Sequence, residues 1–570
     1  MAAFRKVFLA LVVVALAAAT ASAQTVSCNG TAGSNIVRTE GITELLGDIF
    51  LQCTGTAAAA GAATFNIQVS LNTNSTAAFS ADPLIDTVLN VTPTPGGVAG
   101  ATVSTRGRKA SDTSVSFLAV SLPVAPGGTT SNIQISNLRG NASGVAAGSP
   151  ITAFVTSNNT TVGGTPLTLN NTTFTVGSPS TSLTSRIRLA DNSDTKIFTG
   201  LQCANNNSDL FSDATKTNQT LSGNVQFREQ QQAAFKTAAQ EAGSFVVPAT
   251  FGVPTNGTRV RTVFNNIPAN VALFVTTRDV ASGTTGFSTT IRKLELVSAD
   301  STGAGGVATG AADGVGAAVV GPAGSGGDAR VSAATPARYA IQQLTVSNGT
   351  ATATWEVVGT DPNATEDLSV GFVLAFKAGQ PALGTGTVNA NLGPVSTSKV
   401  PVLPGAPPAG ASIPRFTDVS SATNVFTLAP CATNLLFPYT TNQAGFDTGL
   451  VISNTSSDPF GTSGQAGTCT LNYYGSTTGG GAAPAAVTTQ SVPAGGQVVW
   501  TLSSGGNLGA TATPGFQGYV IAQCQFRFGH GFAFVSDVGA RNVAMGYLAL
   551  VMDPGTSPRD TKTTGEAFSQ

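Results

Sequence analysis

The chain has 570 residues and almost balanced charge, 27 Lys and Arg against 28 Asp and Glu, with charged side chains making up only 10% of it. Charge this sparse and even leaves no basic stripe for nucleic acid and no polybasic patch for a membrane surface. Polarity is carried by Ser, Thr, Asn and 66 glycines, which suits an all-β extracellular protein, and the length sets a prior of about three or four domains.

Residues 1–23 read as a secretory signal peptide. Arg5 and Lys6 precede an apolar run, Val7–Ala19, and Ala21-Ser22-Ala23 supplies small residues for cleavage before Gln24. The run is short of a bilayer span and no later segment reads as one, so the mature chain is expected to start at Gln24 and to be secreted or held at the cell surface.

Residues 24–180 are expected to form an N-terminal β-sandwich. Thr64–Leu71 (TFNIQVSL) places Phe65, Ile67, Val69 and Leu71 on one face and polar residues on the other, the period of a half-buried strand. Ser114–Leu122, Asn132–Leu138, Ile151–Val155 and Thr172–Val176 follow the same rule between Gly, Pro and Asn clusters. Cys28 and Cys53 close a short loop and are a disulfide candidate in an oxidising compartment.

Residues 181–400 form a β-rich middle region. Ala, Gln, Glu and Lys over 226–242 predict its one helix, with Phe227, Ala234, Phe235 and Ala238 as an apolar stripe and Gly243 as the stop. Strands are predicted at Thr258–Phe264, Val271–Thr277, Ile291–Val297, Ala351–Val358 and Ser369–Lys377. The Gly/Ala-rich stretch 301–327 reads as a flexible insertion. Residues 401–415 are a proline-rich linker.

Residues 416–552 read as a C-terminal β-sandwich, ahead of a polar tail at 553–570. Its predicted strands are Gly449–Ser453, Cys469–Tyr474, Gln497–Leu502, Tyr519–Phe528, Gly531–Ser536 and Met545–Met552. Gly529-His530-Gly531 lies between two aromatic runs and predicts a hairpin turn. Alternation puts Cys469 with Leu471 and Tyr473 on an apolar face, and Cys524 with Ala522 and Phe526 on another, which favours a Cys469–Cys524 bridge. Cys203 and Cys431 remain: either an interdomain pair or, alternatively, one free thiol. The fold expected is mainly β, several immunoglobulin-like sandwiches with one short helix in the middle region.

The strings NLLFPYTTNQAGFDTG, GTCTLNYYG and GYVIAQCQF in the C-terminal part resemble a module of uncharacterised exported bacterial β-rich proteins. VRTEGITELLGDIFLQCTG near the N-terminus and FREQQQAAFK in the middle resemble other parts of similar proteins. The resemblance implies an exported β-type protein; it carries no known activity, so no functional residue transfers.

Motifs for chemistry are few. Phe446-Asp447-Thr448-Gly449 has the form of an aspartic-protease turn, but that chemistry needs a second carboxylate, and no second such string occurs. Asp447 is therefore expected to be structural. The single histidine, His530, has no Gly-x-Ser-x-Gly partner string. No Cys-x-x-Cys occurs, and neither a metal nor a cofactor is expected. Tyr474 shares its strand face with Thr470 and Asn472, opposite the apolar side, and Tyr439 lies in a polar run. Tyr439, Tyr474 and Asn472 are thus the candidate ligand-binding residues, since a ring beside amides suits sugar or protein recognition. The function expected is a secreted or cell-surface structural and interaction protein without catalysis, with glycans or proteins as partners. A carbohydrate-binding adhesin using these aromatics is the first alternative, and an extracellular hydrolase with paired carboxylates the second.

Overall fold

The computed structural model describes residues 25–77, 84–146, 148–159, 167–190, 195–211, 220–242, 254–280, 292–298, 300–309, 315–320, 329–330, 341–396, 412–462 and 464–552. The expected signal peptide, most of the expected linker and the polar tail lie outside these residues. The protein is mainly β: among the described residues, strands build three bodies in chain order, the middle one carrying a second, smaller apolar cluster.

The N-terminal body is one eleven-stranded sheet folded over a single core. Leu167–Leu169, Thr25–Ala32, Ile49–Thr56, Thr129–Ser136 and Leu84–Thr94 form one side. The long strands Val103–Ser111 and Ser114–Val124 carry the sheet round to Gly61–Leu71, Ile151–Asn159, Thr173–Ser180 and Asn35–Arg38. Strict alternation drives this. Val26 and Cys28, Ile49, Leu51 and Cys53, and Phe65, Ile67 and Val69 all point inward and are buried. Cys28 and Cys53 are directly opposed in neighbouring strands and are bridged, with Cα atoms 4.0 Å apart.

The middle body packs a six-stranded sheet on a seven-stranded one around Trp355, Phe264 and Phe372. The Trp355 indole N–H donates to the Thr276 carbonyl at 2.8 Å, so the largest core side chain has its polar atom satisfied. Here the structure departs from three expectations. The predicted helix at 226–242 is a single turn, Ala238–Glu241, and the residues before it form the buried strand Gly223–Glu229. Phe227 is needed in the core, Ala233 adopts a left-handed φ of 56° that breaks a helix, and Glu229 accepts the backbone N–H groups of Phe235 and Glu366. Tertiary burial overrides local propensity. Within 301–327, Val315–Val320 is a strand parallel to Leu294–Ser298. And the C-terminal module does not begin at 416: Thr423–Ala429 is a strand of the seven-stranded middle sheet, paired with Gly384–Gly393 and Phe198–Leu201.

That last pairing also relocates the bridge expected between domains. Cys203 and Cys431 are joined, and both lie two residues beyond the parallel register pair Leu201 and Ala429. The disulfide therefore staples two adjacent strands of one sheet, at the point where the chain leaves for the C-terminal module.

Charges buried where the first two bodies meet hold them together. The Arg38 guanidinium lies 2.8 Å from Glu44 on its own body and 2.8 Å from Glu241 of the middle body. It also donates to the Ala234 carbonyl and the Thr258 hydroxyl, and stacks 4.7 Å above the Phe416 ring. Arg139 reaches across to the Glu241 carbonyl at 2.6 Å. All four charged side chains are essentially sealed from solvent.

The C-terminal module is a sandwich of two antiparallel sheets. One contains Cys469–Thr477, Phe516–Cys524, Thr433–Thr441 and Leu550–Met552; the other contains Gln497–Thr501, Asp447–Asn454, Gly529–Ser536 and Ala544–Leu548. Trp500, Phe437, Tyr473 and Phe516 fill the space between, Phe437 edge-on to Trp500 and Tyr473 edge-on to Phe516. Cys469 and Cys524 are register partners and are bridged, Cα atoms 3.9 Å apart. The Gly529-His530-Gly531 hairpin expectation is corrected. Phe516–Cys524 and Gly529–Ser536 belong to opposite sheets, so residues 525–528 cross between layers and His530 sits exposed within a strand, paired with Ser453.

Candidate interaction faces of the C-terminal module

In a sandwich each strand sends alternate side chains to the core and to the outside. On the Cys469–Thr477 strand this buries Cys469, Leu471 and Tyr473 and turns Thr470, Asn472 and Tyr474 outward. On Phe516–Cys524 it turns Gln517, Tyr519, Ile521 and Gln523 away from the buried Val520, Ala522 and Cys524. The register aligns Tyr474 with Tyr519, and the two rings stack with centroids 5.0 Å apart and planes 14° apart. Both stay accessible, at 44% and 41%. Leu436 and Leu550 continue this outer face past Ile521, as their pairing in the ladder requires.

The contrast between neighbours shows how strongly parity divides the strand. Tyr473 points inward, and burial pushes its phenol up to about 12, whereas Tyr474 one residue on faces solvent. Asn472 lies on the same face as Tyr474, but its amide N–H groups are already directed at the Ile521 carbonyl (3.2 Å) and the Gln523 side chain (3.4 Å). Tyr439 is exposed in the bulge between Phe437 and Thr440, on the strand beside Tyr519, and its carbonyl accepts the Tyr547 hydroxyl. The structure thus places Tyr474 and Asn472 on one face and adds Tyr519, which sequence reasoning missed. Its signal was present: any strand that buries Val520, Ala522 and Cys524 turns Tyr519 out.

The other sheet carries a second apolar face. Leu548, Phe532, Val451 and Val499 are register partners across four adjacent strands and so form one row on the outside, with Phe534 in the next row. Leu548 is 75% exposed, and Phe532, Phe534 and Val499 are exposed as well. Ala544–Leu548 is also an edge strand of its sheet, with one side of its backbone unpaired by any described strand. Edge strands with exposed apolar side chains are natural templates for another chain.

Asp447 is used by the scaffold. Its carboxylate accepts from the Asn442 amide (2.9 Å), the Thr448 N–H (2.9 Å) and the Ser503 N–H (3.2 Å) and hydroxyl (2.5 Å). These contacts close the loop ends around the strand entry. Among the described residues no group of three or more His, Cys, Asp or Glu is placed to hold a metal, and no described helix is long and apolar enough to cross a membrane.

No family model and no curated relative matches the chain. Among solved structures it is similar to the major pilin subunit of Bacillus cereus (9% identity, 84% of this chain and 95% of that one covered, TM-score 0.19). It is also similar to a backbone pilin of Streptococcus pyogenes (7%, 92% and 80%, TM-score 0.21) and a tip adhesin from Pseudomonas aeruginosa (7%, 64% and 93%, TM-score 0.14). Identities and TM-scores this low establish no kinship, and function is read from the chain's own surface.

Proposed function

We propose that the chain is a secreted or cell-surface structural and interaction protein without catalytic activity, which engages its partner through the outer faces of the C-terminal module. The observation that carries this reading is the pairing of two accessible, nearly uncharged faces on one disulfide-tied sandwich. One presents the stacked Tyr474 and Tyr519, the other the row Leu548, Phe532, Val451 and Val499. Contiguous exposed apolar side chains rimmed by amides and hydroxyls mark interaction surfaces on soluble domains. The Asp447 contacts speak against the hydrolase alternative, since its carboxylate is taken up by the neighbouring backbone and by the Asn442 and Ser503 loops. The adhesin alternative draws on the Tyr474–Tyr519 pair: the outer face of a stacked ring offers a platform for a sugar ring, with the Asn472 amide in the next row of the same face.

Beads coated with the full chain should be tested on glycan arrays and on panels of purified extracellular proteins. The Tyr474→Ala/Tyr519→Ala and Phe532→Ser/Phe534→Ser pairs serve as the variants. Retention on one panel, reduced at least tenfold by one pair, is the expected result, and which pair acts separates the sugar reading from the protein reading. Retention that neither pair changes, measured in a chain that also carries Phe50→Ala on the N-terminal body, or none on any panel, would sink the proposal.

A further inference from the structure

The N-terminal body carries a concave site unrelated to the C-terminal faces. Where Thr25–Ala32, Ile49–Thr56, Thr129–Ser136 and Leu84–Thr94 run side by side, their outward side chains enclose a cleft of about 550 Å³. The register sets its content. Asn29, Gln52 and Asn132 are partners across three strands, and Phe50, Gln134 and Asn90 are partners in the adjacent row. Phe50 stands 45% exposed in the middle of this field of amides, so nearly half of its surface stays in water, where it adds nothing to folding.

Asn90 supplies the second observation. It is only 3% exposed and lies at the cleft floor, where the Ser104 hydroxyl donates to its carbonyl oxygen at 2.7 Å and its amide nitrogen has no partner among the described residues. Turning the amide over would exchange which atom is bonded and leave the other unpaired, so the site holds one unmet polar atom in either setting. Burying such an atom costs about 1–3 kcal/mol, which makes it a poor structural device and a good ligand contact. Among the described residues, none of the side chains lining the cleft is ionisable; Asp48 at one end is engaged by the Gln134 amide at 2.8 Å.

We infer that this cleft binds a neutral oligosaccharide. Amides offer paired donors and acceptors that match vicinal hydroxyls, and an exposed ring offers a face for the C–H side of a pyranose. The absence of cationic lining disfavours phosphates, sulfates and uronates. Strands at this spacing make a furrow several sugars long, since each adds about 4.8 Å across the sheet. The inference goes beyond the C-terminal reading and stands or falls apart from it.

The test uses the intact chain, with isothermal titration of neutral hexasaccharides of glucose, xylose and mannose, and polygalacturonate as the charged control. At least one neutral oligosaccharide should bind, and Phe50→Ala should weaken it about tenfold. Asn90→Leu, nearly isosteric, should also weaken it at least tenfold while leaving the melting temperature unchanged or raised, because it removes an unpaired buried donor. A purely structural Asn90 would instead lower the melting temperature and spare binding. Tyr474→Ala/Tyr519→Ala should leave this affinity intact. Failure of every neutral sugar to bind, equal binding of the charged control, or affinity untouched by both cleft variants would overturn the inference.

Discussion

Single side chains in this protein show their roles through how completely they are satisfied. Glu241 is sealed at the contact of the first two bodies. Burial alone would raise its pKa, but Arg38, Lys236 and Arg139 outweigh burial and hold it below the ordinary carboxylate value. A carboxylate with a depressed folded pKa gives stability that is present above its unfolded value, about 4.3, and lost as pH falls through the lower folded value. Glu241→Gln leaves the Arg38 charge half-compensated and should cost about 3–5 kcal/mol at pH 7. Its urea midpoint should fall less than that of wild type between pH 5 and pH 2; parallel acid profiles would show that Glu241 does not contribute this term. Asp447→Asn, by contrast, keeps most of its donors and should cost about 1 kcal/mol by denaturant titration, with no change in any peptide hydrolysis. At this scale the sequence was readable wherever alternation was strict, as for Tyr474 against Tyr473. It was silent about Glu241 and Arg38, because partners 203 residues apart leave no local pattern.

Elements were legible where two faces differ and illegible where both are buried. Gly61–Leu71 alternates and was readable; Gly223–Glu229 is buried on both faces, and its polar Gln and Asn are absorbed by the sheet, so its helix-forming composition misled. A different limit hid the layer change at 525–528: glycines flanked by aromatics look alike in a hairpin and in a crossover. The bridge between Cys469 and Cys524 belongs to this scale, because it joins directly opposed residues of adjacent strands. Closing a loop of 55 residues restricts the unfolded chain by about 4 kcal/mol in the entropy model. The Cys469→Ser/Cys524→Ser variant should lose stability of that order in the C-terminal module, read by the fluorescence of Trp500, which packs in its core. Trp355 serves as the internal contrast, since it reports the middle body. A loss spread equally over both signals would mean the bridge acts on the whole chain.

At the scale of the whole molecule, the order of three bodies follows the composition, but their limits follow pairings that no local pattern carries. Phe198–Leu201 lies beside Thr423–Ala429 although more than two hundred residues separate them, so the middle sheet closes only after the proline-rich stretch has passed. Phe198–Leu201 is the end strand of that sheet, with a single described strand neighbour, and parallel pairing of so few residues is weak. The Cys203–Cys431 bridge stands just past this short ladder, and it closes a loop of 228 residues, which the entropy model rates at about 5 kcal/mol. It also fixes the residue two positions before Thr433, where the first strand of the C-terminal module starts. The bridge thus secures the sheet edge and the root of the next module together. Replacing both cysteines by Ser should therefore speed amide hydrogen exchange across 198–203 and 423–433. Exchange in the Cys28–Cys53 ladder should stay unchanged, because that ladder belongs to another core. If the edge stays protected without the bridge, the Phe198–Leu201 ladder is held by its own packing, with Phe198 against the middle core as the side chain to test next by Phe198→Ala.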